Sequence, residues 1–262
     1  MSVACRVCHK SSGDPIFSGP ILGASVQYYE CSACGYVQTE HPHWLDVAYA
    51  SAINRCDTGI LLRNQLNVGG VLATLTVLGK RTDRIVDYAG GYGILVRMLR
   101  DRGLDALWSD PYCQNLFAIG FEYQHEPASL VTAFEAFEHF IDPVQELEKL
   151  LTIAPNLLFS TEIIPSPTPS VGEWWYYGAD HGQHIGFFRV RTLQYLAQRF
   201  GRHLTTDGKH YHLLTQSPLP SWSWQLARGI ARAEPRLFTL GMKTRVGADF
   251  EKLSGFSFGK KV

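Results

Sequence analysis

Arg84-Ile85-Val86-Asp87 is a short apolar run ending in a carboxylate, and Gly90, Gly91 and Gly93 follow it directly. Glycine lets the backbone turn sharply and approach a ligand with no Cβ in the way. Ile94-Leu95-Val96 then opens an amphipathic helix, whose first N–H groups lack intrahelical partners and suit an anionic part of that ligand. Asp87, just before the turn, suits the ammonium of a bound amino-acid moiety. Asp110 lies 23 positions after Asp87, at the end of Ala106-Leu107-Trp108-Ser109. A carboxylate at a strand tip there accepts both hydroxyls of a ribose; the alternative is that Asp110-Pro111 only starts a turn. A dinucleotide fingerprint would need a third glycine where Val96 stands, so that class of ligand fits poorly.

Cysteines supply a second constellation. Cys5-x-x-Cys8 and Cys31-x-x-Cys34 are separated by 22 residues in a segment rich in turn formers, including Gly13, Pro15, Gly19 and Pro20. Two such knuckles fit tetrahedral Cys₄ zinc, and Gly35 lets the chain fold under the metal. Four thiolates fill the shell, so His9 is not required and the zinc would be structural, supplying the fold of a module with little core. Buried free thiols or a redox pair are the other reading. Cys56 and Cys113 are left over, and Cys56 reads as packing on a helix.

Candidate proton carriers cluster later in the chain. Glu135, Glu138 and His139 follow the apolar run 130–134, and Glu162 follows 156–161. Three prolines (Pro165, Pro167, Pro169) make 163–170 an extended loop. It leads into Trp174-Trp175-Tyr176-Tyr177 and then His181-Gly182-Gln183-His184. Aromatic faces pack on sugar rings, and histidines exchange protons near neutral pH. A lid or interface packed for stability is the competing reading of this stretch, and Glu138-His139 could equally orient its own loop. Asp57-Thr58-Gly59 and Arg63-Asn64 form a polar cluster that either closes over a ligand or caps a helix.

These residues need elements to hold them. Apolar runs at 84–88, 106–109, 130–134, 156–161 and 210–216 predict strands, and amphipathic stretches at 94–102, 144–151 and 192–200 predict helices. That alternation is the mark of an α/β fold built from βα units. Residues 41–80 read as a largely helical connector, with Ala48, Ala52, Leu61, Leu62 and Leu66 near helical spacing. The four regions are then 1–40 (metal-binding), 41–80 (connector), 81–217 (ligand-binding α/β domain) and 218–262 (C-terminal helical extension). In the last region, 222–233 carries Trp222, Trp224, Leu226 and Ile230 with Arg228 and Arg232, and would pack on its own core or on a membrane surface or partner helix.

At 262 residues, with 45% hydrophobic and 18% charged residues, the chain can bury a full α/β core plus a small module. Lys+Arg 24 balances Asp+Glu 24 for a net charge of +0. A nucleic-acid partner is disfavoured, because phosphate neutralisation needs a basic excess. No signal peptide and no membrane-spanning run is evident, so a cytoplasmic location is expected, and there cysteines point to metal or catalysis before disulfides.

The block from Ile85 to Pro111 resembles motifs I and II of the class I S-adenosylmethionine-dependent methyltransferases. Thr132-Ala133-Phe134-Glu135-Ala136-Phe137-Glu138-His139-Phe140-Ile141-Asp142-Pro143 resembles their fourth-strand segment, and residues 81–216 are covered. Ala89 departs from the pattern, standing where many relatives have the first glycine. The resemblance implies a Rossmann-like fold with a seven-stranded, mostly parallel sheet and helices on both faces. It implies that Asp87, Ala89, Gly90, Gly91 and Gly93 surround the methionine moiety and Asp110 the ribose, with Pro111, Tyr112 and Cys113 toward the adenine and Phe134 and Glu135 near the methyl. The cysteine module followed by this block is similar in layout to some sugar C-methyltransferases, which implies a sugar or nucleotide-sugar acceptor methylated at oxygen or carbon. Another small metabolite, such as a polyketide or aromatic natural product, is a second acceptor class, and a catalytically inactive zinc-containing adaptor is a reading of a different kind. Because the donor carries the hard chemistry, the protein must align donor and acceptor and take a proton. His184, His181, His139 and Glu162 are the candidate bases, in that order.

Overall fold

The computed structural model describes residues 3–49 and 57–259. Along the chain, β1 (Phe17–Ile21), β2 (Ala24–Glu30) and β3 (Val37–Thr39) are followed by the short α1 (Leu45–Ala48) and the long α2 (Ile60–Val77). Then come β4 (Ile85–Tyr88), α3 (Ile94–Asp101), β5 (Ala106–Ser109), β6 (Leu130–Ala133), α4 (Pro143–Ile153) and β7 (Leu157–Ser160). The chain continues through β8 (Gly186–Phe187), α5 (Val190–Arg199), β9 (His203–Thr206), β10 (Tyr211–Thr215), α6 (Ser221–Ala233) and α7 (Val246–Ser254). It divides into two compact units: Met1–Cys56, Ala133–Thr152 and Phe159–Pro218 form the first, and Asp57–Thr132, Ile153–Leu158 and Leu219–Val262 the second.

The main sheet is mixed and has the order β5-β4-β6-β7-β10-β9. β4 pairs in parallel with both β5 and β6, whereas β9 and β10 pair antiparallel. It has six strands among the described residues, which corrects the expectation of seven. The reason is visible beyond β5, where Trp108 makes a parallel bridge to the single residue Glu122. Trp108 donates its N–H to Phe121 and accepts one from Tyr123. The chain around this bridge carries Gly120 and His125 in left-handed backbone conformations. These bound the short extended segment that meets β5 at that one bridge.

In the first unit, β1, β2, β3 and β8 form a second, four-stranded sheet. Residues 1–40, expected to be turns around a metal, therefore contain three strands. Alternation along β2 sends Val26 and Tyr28 inward, where they meet Val37, Tyr176, Tyr177 and Phe187 in one buried cluster. Gly19 in β1 is needed for close approach, since a Cβ there would stand 2.2 Å from Val171.

In the second unit, α2 lies against α6. Gly69 permits this, its position lying within van der Waals reach of the Ala231 carbonyl, and Ala73, Ala227 and Ala231 form the small-residue seam. Trp224 is fully buried and donates Nε1–H to Thr74 Oγ1 at 2.9 Å, while Trp222 is 70% exposed. α6 thus packs on its own unit. Of the expected connector helix, α1 and α2 are seen, and Ala52 and Cys56 lie outside the described residues. The capping reading of Asp57 and Thr58 does not hold: Gly59 is the N-cap of α2 without a side-chain cap, and Asp57 instead pairs with Arg63 at 2.7 Å.

The C-terminal helix α7 is anchored by a buried ion pair. Arg100 grips Asp249 with two bonds of 2.6 and 2.8 Å, and Arg97 adds a third at 2.9 Å. Burial alone would raise the Asp249 carboxyl, but the two guanidiniums outweigh it and hold it below its ordinary value. Asp249→Ala leaves buried Arg100 with only the longer 3.3 Å contact to Asp105, so denaturant unfolding should show a loss of about 3 kcal/mol. The pair's contribution should be complete above the free-aspartate value of 3.8 and should fade as pH falls from there through the lower folded value.

Candidate active site

The glycine turn grows out of β4. Asp87 is 3% exposed, and Thr132 on the adjacent β6 donates Oγ–H to its Oδ1 at 2.6 Å. Burial raises the carboxyl to about 7, with the Thr132 bond opposing the rise and the nearby Asp110 charge adding to it. Ala89 (φ 56°) and Gly91 (φ 53°) are both left-handed, so the turn uses a conformation costly for any L-residue except glycine. Gly90 is tied to space: a Cβ there would stand 2.9 Å from the Trp108 ring and 3.0 Å from Asp87 Oδ2. Gly93 (φ 85°) is the N-cap of α3, and a Cβ there would meet Ala118 N at 3.0 Å.

Asp110 closes the same turn. Its Oδ2 accepts the Gly91 N–H at 2.9 Å, and its Oδ1 accepts those of Tyr112 and Cys113 at 2.8 and 3.0 Å. Asp110 therefore builds the turn, as one of its two sequence readings has it. Trp108 donates Nε1–H to the Gly91 carbonyl at 2.8 Å and braces the glycine segment. Pro111 and Tyr112 are exposed, and burial pushes the Cys113 thiol up to about 11. A buried anion under a glycine turn, with a second carboxylate at the next strand tip, fits a cationic amino-acid group joined to a ribose. Thr132 and Trp108 were missed by sequence reasoning; a threonine inside the apolar Leu130-Val131-Thr132-Ala133 run was the available signal.

The four cysteines converge. Cys5 and Cys34 sulfurs lie 3.5 Å apart, Cys8 and Cys31 sulfurs 3.4 Å apart, and all four fall within 4.8 Å of one another. Each knuckle is closed by backbone bonds, His9 N–H to Cys5 O and Gly35 N–H to Cys31 O, with Gly35 left-handed at φ 77°. The Cys5 thiol is drawn down to about 5, chiefly by its bond with Cys34. The donor set fits a tetrahedral thiolate-bound ion.

Phe134 and Glu135 belong to the other unit from Asp87. Phe134 packs edge-on to Tyr211. Glu135 sits at a left-handed φ of 50° and is held by Ser160, which accepts its N–H at 2.9 Å and donates to its Oε1 at 2.6 Å. His210 stands between two carboxylates, 2.9 Å from Glu162 and 3.4 Å from Glu135. Burial would lower His210, but Glu162 and Glu135 outweigh it and raise it above its ordinary value. Glu162 is thus already engaged by an imidazole that the sequence reading overlooked.

His139, His181 and His184 form a separate group with ring centroids 4.8–4.9 Å apart. His184 donates Nδ1–H to the Tyr176 carbonyl at 2.6 Å, and His139 donates to the Gln183 carbonyl at 3.0 Å. His181 Nδ1 instead accepts the Gln183 N–H. Burial lowers all three, His184 most, so each is neutral at neutral pH. The aromatic stretch divides: Tyr176 and Tyr177 are core, Trp174 is partly buried, and Trp175 is 77% exposed. Trp44 Nε1–H and the Gln183 side chain clasp 182–183 to the α1 region.

No helix among the described residues is long and apolar enough to cross a membrane. No curated protein sequence matches the chain. Solved structures similar to it include a methyltransferase of calicheamicin biosynthesis in a form with bound SAH (12% identity, 56% of this chain and 54% of that one, TM-score 0.39). Others are an O-methyltransferase family protein from Burkholderia thailandensis (12%, 59% and 56%, 0.41) and the magnesium protoporphyrin IX methyltransferase from Synechocystis with bound SAH (16%, 65% and 90%, 0.42). The chain thus spans little more than half the length of the first two. A family model described as a methyltransferase domain matches residues 60–206, more than half of the sequence. The chain belongs to this methyltransferase-domain family.

Proposed function

We propose that the chain transfers a methyl group from S-adenosylmethionine to a small-molecule acceptor. The observation that carries this reading is the buried Asp87 under the Ala89–Gly93 turn, with Asp110 at the next strand tip. Burying a carboxylate is costly unless a cation or strong donors meet it, and Thr132 alone is a neutral donor. The ammonium of the donor's methionine would satisfy Asp87, and its ribose hydroxyls would meet Asp110. The bound donor supplies an electrophilic sulfonium methyl; the chain's residues bind it, orient it and remove the acceptor's proton. An adaptor without catalysis would gain nothing from holding Asp87 at this cost.

For the base, the histidine group is favoured over Glu162, because a neutral imidazole can accept a proton whereas Glu162 is paired with His210. His184 leads, since its Nδ1–H is fixed on Tyr176 and its Nε2 carries the lone pair. A sugar or nucleotide sugar is the proposed acceptor, stacking on the exposed Trp175; that face would serve a planar aromatic metabolite equally, and a panel of both with labelled donor separates them. We read residues 1–40 as a structural zinc module on Cys5, Cys8, Cys31 and Cys34, 41–80 as a connector, 81–217 as the donor domain and 218–262 as a helical extension. Cysteines that hold zinc as thiolates would suit a reducing, cytoplasmic setting.

Calorimetry should show S-adenosylmethionine binding that Asp87→Ala weakens about 10–100-fold, the worth of one charged hydrogen bond. Affinity should rise with pH as Asp87 ionises through about 7. It should fall again above about 8, where the ligand's amino group loses its proton. His184→Ala should lower kcat by about 10²-fold or more. The acid limb of the wild-type profile should lie below the ordinary histidine value of 6.5, because burial keeps His184 neutral to lower pH. Chelation of the cysteine-bound metal should unfold the 1–40 module, read as lost far-UV signal and protease sensitivity, and zinc should restore it.

A further inference from the structure

Glu138 is the residue that neither donor binding nor proton removal explains. It lies on the single 3₁₀ turn Phe137–His139 with its side chain fully buried, and neither carboxylate oxygen has a hydrogen-bond partner among the described residues. The Tyr176 hydroxyl and Thr161 lie near enough to ease a charge there, yet neither meets hydrogen-bond geometry with it. A carboxylate deep in a protein with no donor is costly, so something must face it.

What faces it are two imidazoles. His139 Nε2 stands 4.0 Å from Glu138 Oε1, and ligand atoms of Glu138, His139 and His184 all lie within 4.8 Å of one another. Both histidines point the same chemistry inward. Each gives its Nδ1–H to a main-chain carbonyl, Gln183 for His139 and Tyr176 for His184, which leaves Nε2 as the lone-pair nitrogen. That is the outer-shell arrangement that fixes metal-binding histidines in the correct tautomer and orientation. The His139 and His184 rings are further held by edge-on packing against each other and by Tyr176.

We propose that Glu138, His139 and His184 form a metal site, distinct from the four cysteines, that takes one divalent first-row transition ion. Two imidazoles and one carboxylate suit zinc, iron(II) or cobalt(II) and leave coordination positions open for water or a ligand. Donors bound to one ion at about 2.0–2.2 Å stand roughly 3–4 Å apart, so a sub-ångström inward shift of these side chains closes the set. The cation would also offset the Glu138 charge, for which the described residues supply no hydrogen bond. The Nε2 lone pair of His184 cannot hold a metal and take a proton at once, so this site and the assignment of His184 as base exclude each other. If His184 is a base only, its substitution removes turnover and leaves metal content unchanged; if it is a ligand, both are lost.

Cobalt(II) titration of the tag-free, metal-stripped full chain separates the two sites. Thiolate-bound cobalt gives intense sulfur-to-metal charge-transfer bands, whereas cobalt held by nitrogen and oxygen gives only weak visible bands. The wild type should take up an equivalent without charge-transfer intensity, displaceable by zinc, in addition to the thiolate-bound one. Glu138→Gln and His184→Ala should each lose that equivalent alone, and their retained thiolate bands report that the fold is intact. Should Glu138→Gln fail to fold, His184→Ala carries the same comparison. A wild type that saturates with thiolate-bound cobalt only would overturn the site, as would variants that keep the second equivalent.

Discussion

Asp87 sets the terms for everything around the glycine turn. A carboxylate at the end of a buried strand forces the chain to provide close polar neighbours and to keep bulk away. Gly90 is a glycine because a Cβ would collide with the Asp87 carboxylate and the Trp108 ring. Thr132 is polar within an apolar strand because Asp87 lies beside it in the parallel register of β4 and β6. Asp110 is held by Gly91, Tyr112 and Cys113 N–H groups, which keeps two carboxylates near each other in the ligand-free chain. The Asp110 charge adds to the rise at Asp87, and the ammonium of the proposed donor would offset it.

The first unit repeats that logic with different partners. Glu135 pairs with Ser160 and faces His210, which Glu162 also engages. Glu138 by contrast has no hydrogen-bond partner among the described residues and faces His139 and His184. Two neighbouring carboxylates on one loop are therefore met differently: Glu135 by a serine and the nearby His210, Glu138 by two histidines without a hydrogen bond. The left-handed backbone at Glu135 is the kind of local strain that a folded scaffold tolerates where a side chain must be aimed.

Much of this was legible in the sequence, for reasons that differ by element. β4 to β7 and β10 stand out as apolar runs because they are buried, and their bounds fall within two residues of the pattern. Asp87, the glycines and Asp110 were legible because their spacing is local. β1 to β3 were not, since Gly19, Pro20 and Gly23 read as turns and the sheet is completed only by the distant Gly186–Phe187. His210 was hidden for the same reason: it meets Glu135 and Glu162 only through tertiary structure. The aromatic stretch was half legible, because composition cannot separate the buried Tyr176 and Tyr177 from the exposed Trp175. The single bridge that stands in place of a seventh strand is bounded by left-handed residues, including His125, that no hydropathy pattern displays.

The central claim is that Asp87 recognises the donor's ammonium. The most direct measurement compares binding of S-adenosylmethionine with that of an analogue lacking only the amino group, in the wild type and in Asp87→Asn. Recognition by Asp87 gives a clear preference for the amino-bearing ligand, about tenfold or more, that collapses toward unity in the variant. An equal preference in both proteins would contradict it and would move the ammonium to another residue.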